Sequence, residues 1–334
     1  MSHSDSRDPW AISEHDFPAS GGEAERLRFL VRYALLAPST RNTQPWKFRI
    51  GADEIGIFVD PARWERIADA DQREMYISAG CALENLVIAA AHFGYRPTVE
   101  TVPDGGNVEL AARVRLERGE ERPPVGEDHL FAAIPRRFTN HGVYDGSPVD
   151  EHDLAALREP CAERGASLVW TNDDAARLKI DELVLRADAL LLSQPEYRQE
   201  LGALIGTGVF GTPWLVATLG RLAVSYLMPV KSFAKADHRT LTSSPAFGVI
   251  CAQENSREAQ VRVGQALERA YLAATDLGLC LQPVSQVLQA EETRRALAAM
   301  LPAGVGVPLQ PFRLGRATPP REHTPRRPVE EVLL

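Results

Sequence analysis

The chain is poor in cysteine: four in 334 residues, Cys81, Cys161, Cys251 and Cys280, with no paired spacing for zinc and no disulfide framework. That usage fits a reducing compartment, and a cytoplasmic protein is expected. A surplus of positive charge is also missing. Lys and Arg number 37 against 45 Asp and Glu, a net charge of −8, which argues against a nucleic-acid binder. No uninterrupted membrane segment stands out: the apolar stretch 209–230 holds Pro213, Arg221 and Pro229, so a buried or lid-forming helix is expected there. The first 25 residues carry Asp5, Asp8, Glu14, Asp16, Glu23 and Glu25 without an apolar core, unlike a signal peptide, and residues 1–22 read as a flexible lead-in. There is no G-x-S-x-G elbow, H-E-x-x-H, P-loop or kinase signature, and the eight histidines are scattered away from cysteine, so no metal is expected. Gly206–Gly211 spells G-x-G-x-x-G but follows a helical pattern and runs into Thr212–Pro213, the wrong setting for a dinucleotide fingerprint.

What is present is an alternation of long helices with a few strands. Leu27, Leu30, Val31, Ala34 and Leu35 lie at helical spacing and predict a helix over 23–37, stopped by Pro38. Short strands are expected at 46–50 and 55–59, a long helix over 73–93, and a half-exposed strand at 108–116. The charged, Pro-containing run 117–128 reads as a linker between two halves. Beyond it, helices are expected at 150–164, 174–191, 213–228 and 258–277, and strands at 166–171, 246–252 and 310–315. The class is therefore α+β or α/β with a small sheet.

One internal repeat links the halves. Gly80–Gly94 can be laid over Gly264–Gly278 at a constant offset of 184, with seven of fifteen positions identical, including Gly80/Gly264, Glu84/Glu268 and Gly94/Gly278. Shared glycines at both ends and a shared glutamate favour duplication over convergence of two Ala-rich helices. Small residues at helical spacing allow close helix packing, which makes this helix a candidate seam.

Three segments carry chemistry. Ala37–Trp46 (APSTRNTQPW) packs hydroxyls, Asn42, Gln44 and Trp46 where a helix hands over to a strand, equipment suited to the polar edge of a flat heterocycle. Pro135–His141 (PRRFTNH) pairs two guanidinium forks with a hydroxyl, as a phosphate requires; a solvated basic turn is the alternative. Residues 313–327 hold Arg313, Arg316, Arg321, Arg326 and Arg327 against a single acid, Glu322, and Arg326–Arg327 sits between Pro325 and Pro328, which fixes the local backbone.

APSTRNTQPW at 37–46, RRFTN at 136–140, GLCLQPVSQ at 278–286 and TPRRPVEEVL at 324–333, in this order, resemble the FMN-dependent nitroreductase family, more narrowly its Acg-like branch with a duplicated fold in one chain. The resemblance implies an α+β nitroreductase-like fold whose halves, 23–128 and 129–334, form an intramolecular pseudo-dimer. It implies FMN as cofactor, with the phosphate and ribityl chain held by Arg136, Arg137, Thr139 and Asn140 and by Arg326 or Arg327. Pro283, Val284 and Ser285 would lie beside the isoalloxazine with a backbone N–H near N5. Pro38, Ser39, Thr40 and Asn42 would come from the first half, with Gln44 a weaker candidate. No second set of these motifs exists, so one FMN per chain is expected.

The implied activity is hydride transfer from NADH or NADPH to FMN and then to a small acceptor such as a nitroaromatic, quinone or enone, and no acid–base side chain is assigned. An FMN-sequestering protein without turnover is the alternative that the motifs leave open. The family's usual Arg-Arg-Ser-x-Arg is here Arg136-Arg137-Phe138-Thr139-Asn140-His141, so phosphate affinity is expected to lean on Arg326 and Arg327, with His141 contributing only when protonated. Phe210, Trp214 and Tyr226 could form an apolar cover over the ring or belong to an ordinary core helix. A small-molecule substrate is expected, without nucleic acid or membrane, and further oligomerisation is left open.

Overall fold

The computed structural model describes residues 8–103, 108–119, 128–227, 238–318 and 322–334, apart from the side chain of Trp214. Two four-stranded antiparallel sheets share one topology. The first comprises β1 (Trp46–Ile50), β2 (Glu54–Val59), β3 (Tyr95–Thr101) and β4 (Leu110–Arg118) in the order β1-β2-β4-β3; the second comprises β5 (Ser167–Thr171), β6 (Ala246–Ala252), β7 (Cys280–Pro283) and β8 (Val307–Gly315) in the order β5-β6-β8-β7. Even the irregularities correspond: the β2–β4 ladder slips between Ile57 and Phe58, and the β6–β8 ladder between Ile250 and Cys251. The α+β class and the two related halves thus stand in the structure.

The repeated segment forms the two central helices, α2 (Arg73–His92) and α8 (Arg257–Asp276). α2 is buried on almost every side, which its run of Ala, Gly, Leu and Ile permits. The helices cross where Gly80 meets Gly264. An ideal Cβ on Gly80 would lie 2.1 Å from the Val261 carbonyl oxygen, and one on Gly264 would lie 2.1 Å from that of Ile77. Ile77 and Val261, like the glycines, are 184 positions apart, so each helix presents the same surface to the other.

The halves differ where the site is built. From α1 (Glu23–Ala34) to β1 the chain takes the long loop 35–45, whereas from α4 (Glu151–Glu163) to β5 only residues 164–166 intervene. Conversely, β1 joins β2 through residues 51–53, while 172–245 separate β5 from β6 and contain α5 (Asp174–Leu192), α6 (Pro195–Gly206) and α7 (Trp214–Leu222). The halves also interleave: Leu333 pairs with Phe48, Phe48 N–H donates to the Val332 carbonyl at 2.7 Å, and Leu334 N–H donates to that of Phe48 at 2.9 Å. The tail of the second half therefore completes the sheet of the first.

Several expectations need correction. β3 is a strand outside those expected from the sequence, and its Pro97 is tolerated because β3 lies at the sheet edge. The linker shrinks, because β4 runs to Arg118 and a short helix, α3, starts at Asp128; residues 120–127 lie outside the described chain. The expected helix 213–228 is α7 followed by a π-helical turn at Ala223–Leu227, and residues 228–230 lie outside the described chain. It is not a core helix: Leu215, Val216, Leu219, Leu222 and Tyr226 are exposed. From Pro9 onward the lead-in is packed, with Phe17 stacked on Phe93 and Trp10 stacked on His323. Among the described residues, no helix is long and apolar enough to cross a membrane.

Candidate functional site

The loop 35–45 is built under strain. Arg41, Asn42 and Gln44 have φ of 46°, 57° and 51°, left-handed values that cost non-glycine residues about 1 kcal/mol or more each unless the surroundings enforce them. The enforcing bonds are local: Gln44 N–H donates to Ser39 Oγ at 2.9 Å, and Thr43 Oγ1 donates to the Thr40 carbonyl at 2.9 Å. The result sends neighbouring side chains to different partners. Arg41 reaches Glu65 at 2.6 Å and Tyr197 Oη at 2.5 Å. Asn42 donates to the Val209 carbonyl at 2.7 Å and the Pro325 carbonyl at 2.9 Å, and accepts from Arg326 Nη1 at 2.8 Å.

This loop, the end of α3, the start of the segment after β7 and the C-terminal strap enclose a cavity of about 370 Å³, within the range of small-molecule sites. Arg137 and Arg326 stand at one end, 1% and 9% exposed. Both donate to the Leu36 carbonyl, at 2.7 and 3.4 Å. Arg137 lies over the Tyr271 ring and Arg326 over the Trp10 ring, at 5.1 and 4.8 Å from the centroids. Burial and the repulsion of Arg137 push the Arg326 pKa far down, against the attraction of Glu268, and the same burial and guanidinium charges lower that of His323. A guanidinium does not give up its proton in such a place, so the end remains cationic. The Nε atoms of Arg137 and Arg326 are buried without a hydrogen-bond partner among the described residues.

Elsewhere the wall is polar but balanced. Glu74 accepts from Thr40 Oγ1 at 2.8 Å and Gln289 Nε2 at 2.9 Å, and Ser78 Oγ accepts from Thr40 N–H at 3.3 Å. Glu74, Ile77, Ser78 and Cys81 form one helical stripe of α2 facing the cavity. Leu192, Leu201 and Phe210 add apolar surface from the helices between β5 and β6.

Of the residues singled out in sequence, Pro38, Ser39, Thr40, Asn42, Arg137, Thr139, Pro283, Ser285 and Arg326 line this cavity. Five do not. Arg136 points outward and pairs with Asp276 at 3.1 Å, because the turn over Ile134–Arg136 ends and the chain becomes extended at Arg137. Asn140 is buried as a brace, donating to the Thr318 carbonyl at 3.1 Å and accepting from Gly142 N–H at 2.8 Å. Val284 sits in the second core, and its N–H is spent on the Pro311 carbonyl at 3.0 Å. Gln44 and Arg327 brace each other: Gln44 Oε1 accepts the Arg327 N–H at 2.8 Å.

Arg313 and Arg316 are structural as well. Arg313 donates to the carbonyls of Asn140 and Gly142, at 3.0 and 2.7 Å, and Arg316 pairs with Asp153; Arg321 lies outside the described chain. His141 lines the cavity but is held neutral by burial and by Arg313, so it adds no charge. Tyr226 faces away, leaving Phe210 as the described aromatic of the expected cover.

Sequence reasoning missed Trp10, Glu74, Tyr197 and His323. Only Glu74 carried a usable signal, lying one turn before Ser78 on the repeated helix. Trp10 and His323 come from opposite ends of the chain, and nothing local announces their stacking at 3.8 Å.

No family model matches the chain. A Mycobacterium tuberculosis protein provisionally named an NAD(P)H nitroreductase is 29% identical over 340 residues, covering 98% of this chain and 95% of the relative. A second from that organism, named NAD(P)H nitroreductase acg on the same provisional footing, is 26% identical over 328 residues, covering 92% and 95%. Among solved structures, a nitroreductase with bound FMN from Desulfitobacterium hafniense aligns with a TM-score of 0.41 at 11% identity over 61% of this chain and 95% of that one. Along nearly its whole length, then, the chain is similar to proteins named as NAD(P)H nitroreductases. Its similarity runs more narrowly to the Acg-like branch.

Proposed function

We propose that the chain is an FMN-dependent NAD(P)H oxidoreductase in which two nitroreductase-like halves act as an intramolecular pseudo-dimer around a single flavin site. The observation that carries this reading is the pair of buried arginines, Arg137 and Arg326, which line the same end of a cavity walled by both halves and whose Nε groups have no hydrogen-bond partner among the described residues, that of Arg137 lying 3.6 Å from Glu268. A buried donor without an acceptor costs roughly 1–3 kcal/mol, and a phosphate supplies acceptors of the right charge. The residues thus fit the 5′-phosphate of FMN. Thr139 and Arg326 would hold that tail, Ser39 and Thr40 the polar chain behind it, and Pro283 and Ser285 the ring.

When bound, FMN supplies hydride acceptance from NAD(P)H and its delivery to a small acceptor such as a nitroaromatic, quinone or enone. The protein's part is placement and electrostatics. Arg137 and Arg326 would fix the anionic tail, Asn42 ties the loop, the C-terminal strap and the Val209 carbonyl together, and Phe210 adds an apolar side chain to the cavity wall. A single site per chain follows from the short 164–166 connection, which offers no counterpart to the loop 35–45.

Anaerobic mixing of the flavin-loaded protein with NADPH or NADH tests the activity. Loss of the yellow colour within seconds is expected. Flavin that stays oxidised under excess of both reductants contradicts turnover and favours sequestration.

A further inference from the structure

The glutamate that the two central helices share stands in two opposite electrostatic settings. Glu84 is fully buried and saturated: it accepts from Arg164 at 3.2 and 2.8 Å, from Gln265 at 2.9 Å and from Arg269 at 2.7 Å. Its counterpart Glu268 is equally buried, yet no guanidinium donates a hydrogen bond to it, and only the side chain of Asn85 among the described residues lies against its carboxylate as a hydrogen-bonding group. Arg137 Nε approaches Glu268 only to 3.6 Å, an ion pair without a hydrogen bond. One copy of the repeat has closed its ion network with Arg164, from the short α4–β5 connection, while the other pairs with Arg137, which lines the cavity.

Charge counting shows what this end of the cavity can accept. Facing Glu268 are Arg137 from the turn after α3, Arg326 from the C-terminal strap, Glu84, Asn85 and Cys81 from α2, and Tyr271 from its own helix. Glu84 and Glu163 together balance Arg164 and Arg269, with Glu163 4.0 Å from Arg269. The remaining formal charges are two guanidiniums and one carboxylate, a net +1. A dianionic phosphate turns that into a buried −1, unless the carboxylate is neutral. We propose that Glu268 is the positioning residue of the anion end: it holds Arg137 while ionised and takes up one proton when a dianionic phosphate binds between Arg137 and Arg326. Burial, opposed chiefly by Arg137, already raises the Glu268 pKa to about 7, so the proton is within reach at neutral pH. This proposal rests on the FMN reading and specifies the charge state in which that site is filled.

The test is the FMN dissociation constant from pH 6.5 to 8.5 at fixed ionic strength, with riboflavin as the phosphate-free control. The second ionisation of the FMN phosphate, near pH 6, is complete over most of this range. In the native protein, FMN affinity is expected to fall about tenfold between pH 7 and 8.5, approaching one decade per pH unit, while riboflavin binding stays flat. Glu268→Gln should remove the fall and bind FMN at pH 8.5 about tenfold more tightly than the native chain.

An affinity that is flat or rises over pH 7–8.5, or a Glu268→Gln variant that keeps the falling limb, overturns the proposal. Should that variant not fold, calorimetry of the native protein at pH 7.5 in buffers of different ionisation enthalpy decides. Uptake of about half to one proton per FMN supports the proposal, and zero uptake or release overturns it. FMN binding without proton uptake defeats this inference alone; absence of FMN binding at every pH defeats the flavin reading together with it.

Discussion

Replacing Gly264 by Ala adds one methyl group at the seam of the molecule. The new Cβ would meet the Ile77 carbonyl oxygen at 2.1 Å and Gly80 Cα at 2.8 Å, both main-chain atoms that cannot turn aside. Relief requires α2 and α8 to separate by about 1 Å, which loosens the layer in which Ile77, Cys81, Val261 and Leu267 are packed. Overpacking of this kind costs about 3 kcal/mol, and the better helix propensity of Ala returns about 1 kcal/mol. A net loss near 2 kcal/mol lowers Tm by roughly 3 °C in a chain of this size. Thermal unfolding followed by circular dichroism measures it. Gly80→Ala should give the same loss because the two glycines are equivalent. The double variant should fall short of the sum, since a seam opened by one methyl accommodates the other. A Gly264→Ala protein with unchanged or higher Tm would refute the close crossing.

Two further outcomes separate roles that the sequence could not. Arg137→Ala should weaken FMN binding by at least about 100-fold, the loss of a charge-assisted contact in a buried setting, whereas the exposed Arg136→Ala should change it less than about threefold; titration monitored by flavin fluorescence compares them. Glu84→Gln should destabilise the fold by about 3 kcal/mol at pH 7 by leaving Arg164 and Arg269 without their acceptor. Burial raises the Glu84 pKa, but Arg164 and Arg269 outweigh it and the net shift is downward. Its stabilisation is therefore present above the ordinary glutamate range, about pH 4.5, and lost as pH falls through the depressed folded-state value. Urea unfolding of both proteins should show the gap narrowing only below about pH 4.5.

Much of the scaffold was legible because its signals are local and periodic. The repeat at offset 184 marked both central helices and their glycine contact, and the strands at 46–50, 166–171 and 246–252 followed from β-branched and aromatic runs. The site was legible only as segments. RRFTN was readable as phosphate equipment, but which arginine turns inward depends on the chain becoming extended at Arg137, a matter of one dihedral. TPRRP likewise could not say that Arg326 faces Asn42 while Arg327 is spent on Gln44 and Glu331. Trp10, Tyr197 and His323 reach the cavity through contacts of long sequence separation, which no spacing rule encodes. The difference between Glu84 and Glu268 is of the same kind: the residues are identical, but Arg164, Gln265 and Arg269 surround the first, whereas the positions equivalent to Gln265 and Arg269 beside the second are Cys81 and Asn85.

The most direct measurement is the flavin-to-protein ratio of the purified chain, read from its visible absorbance after saturation with FMN and removal of the excess. One FMN per chain, lost on joint replacement of Arg137 and Arg326 by Ala in a variant that still folds, is the predicted result. Two tightly held FMN per chain, or one that survives that double replacement, would contradict the site described here.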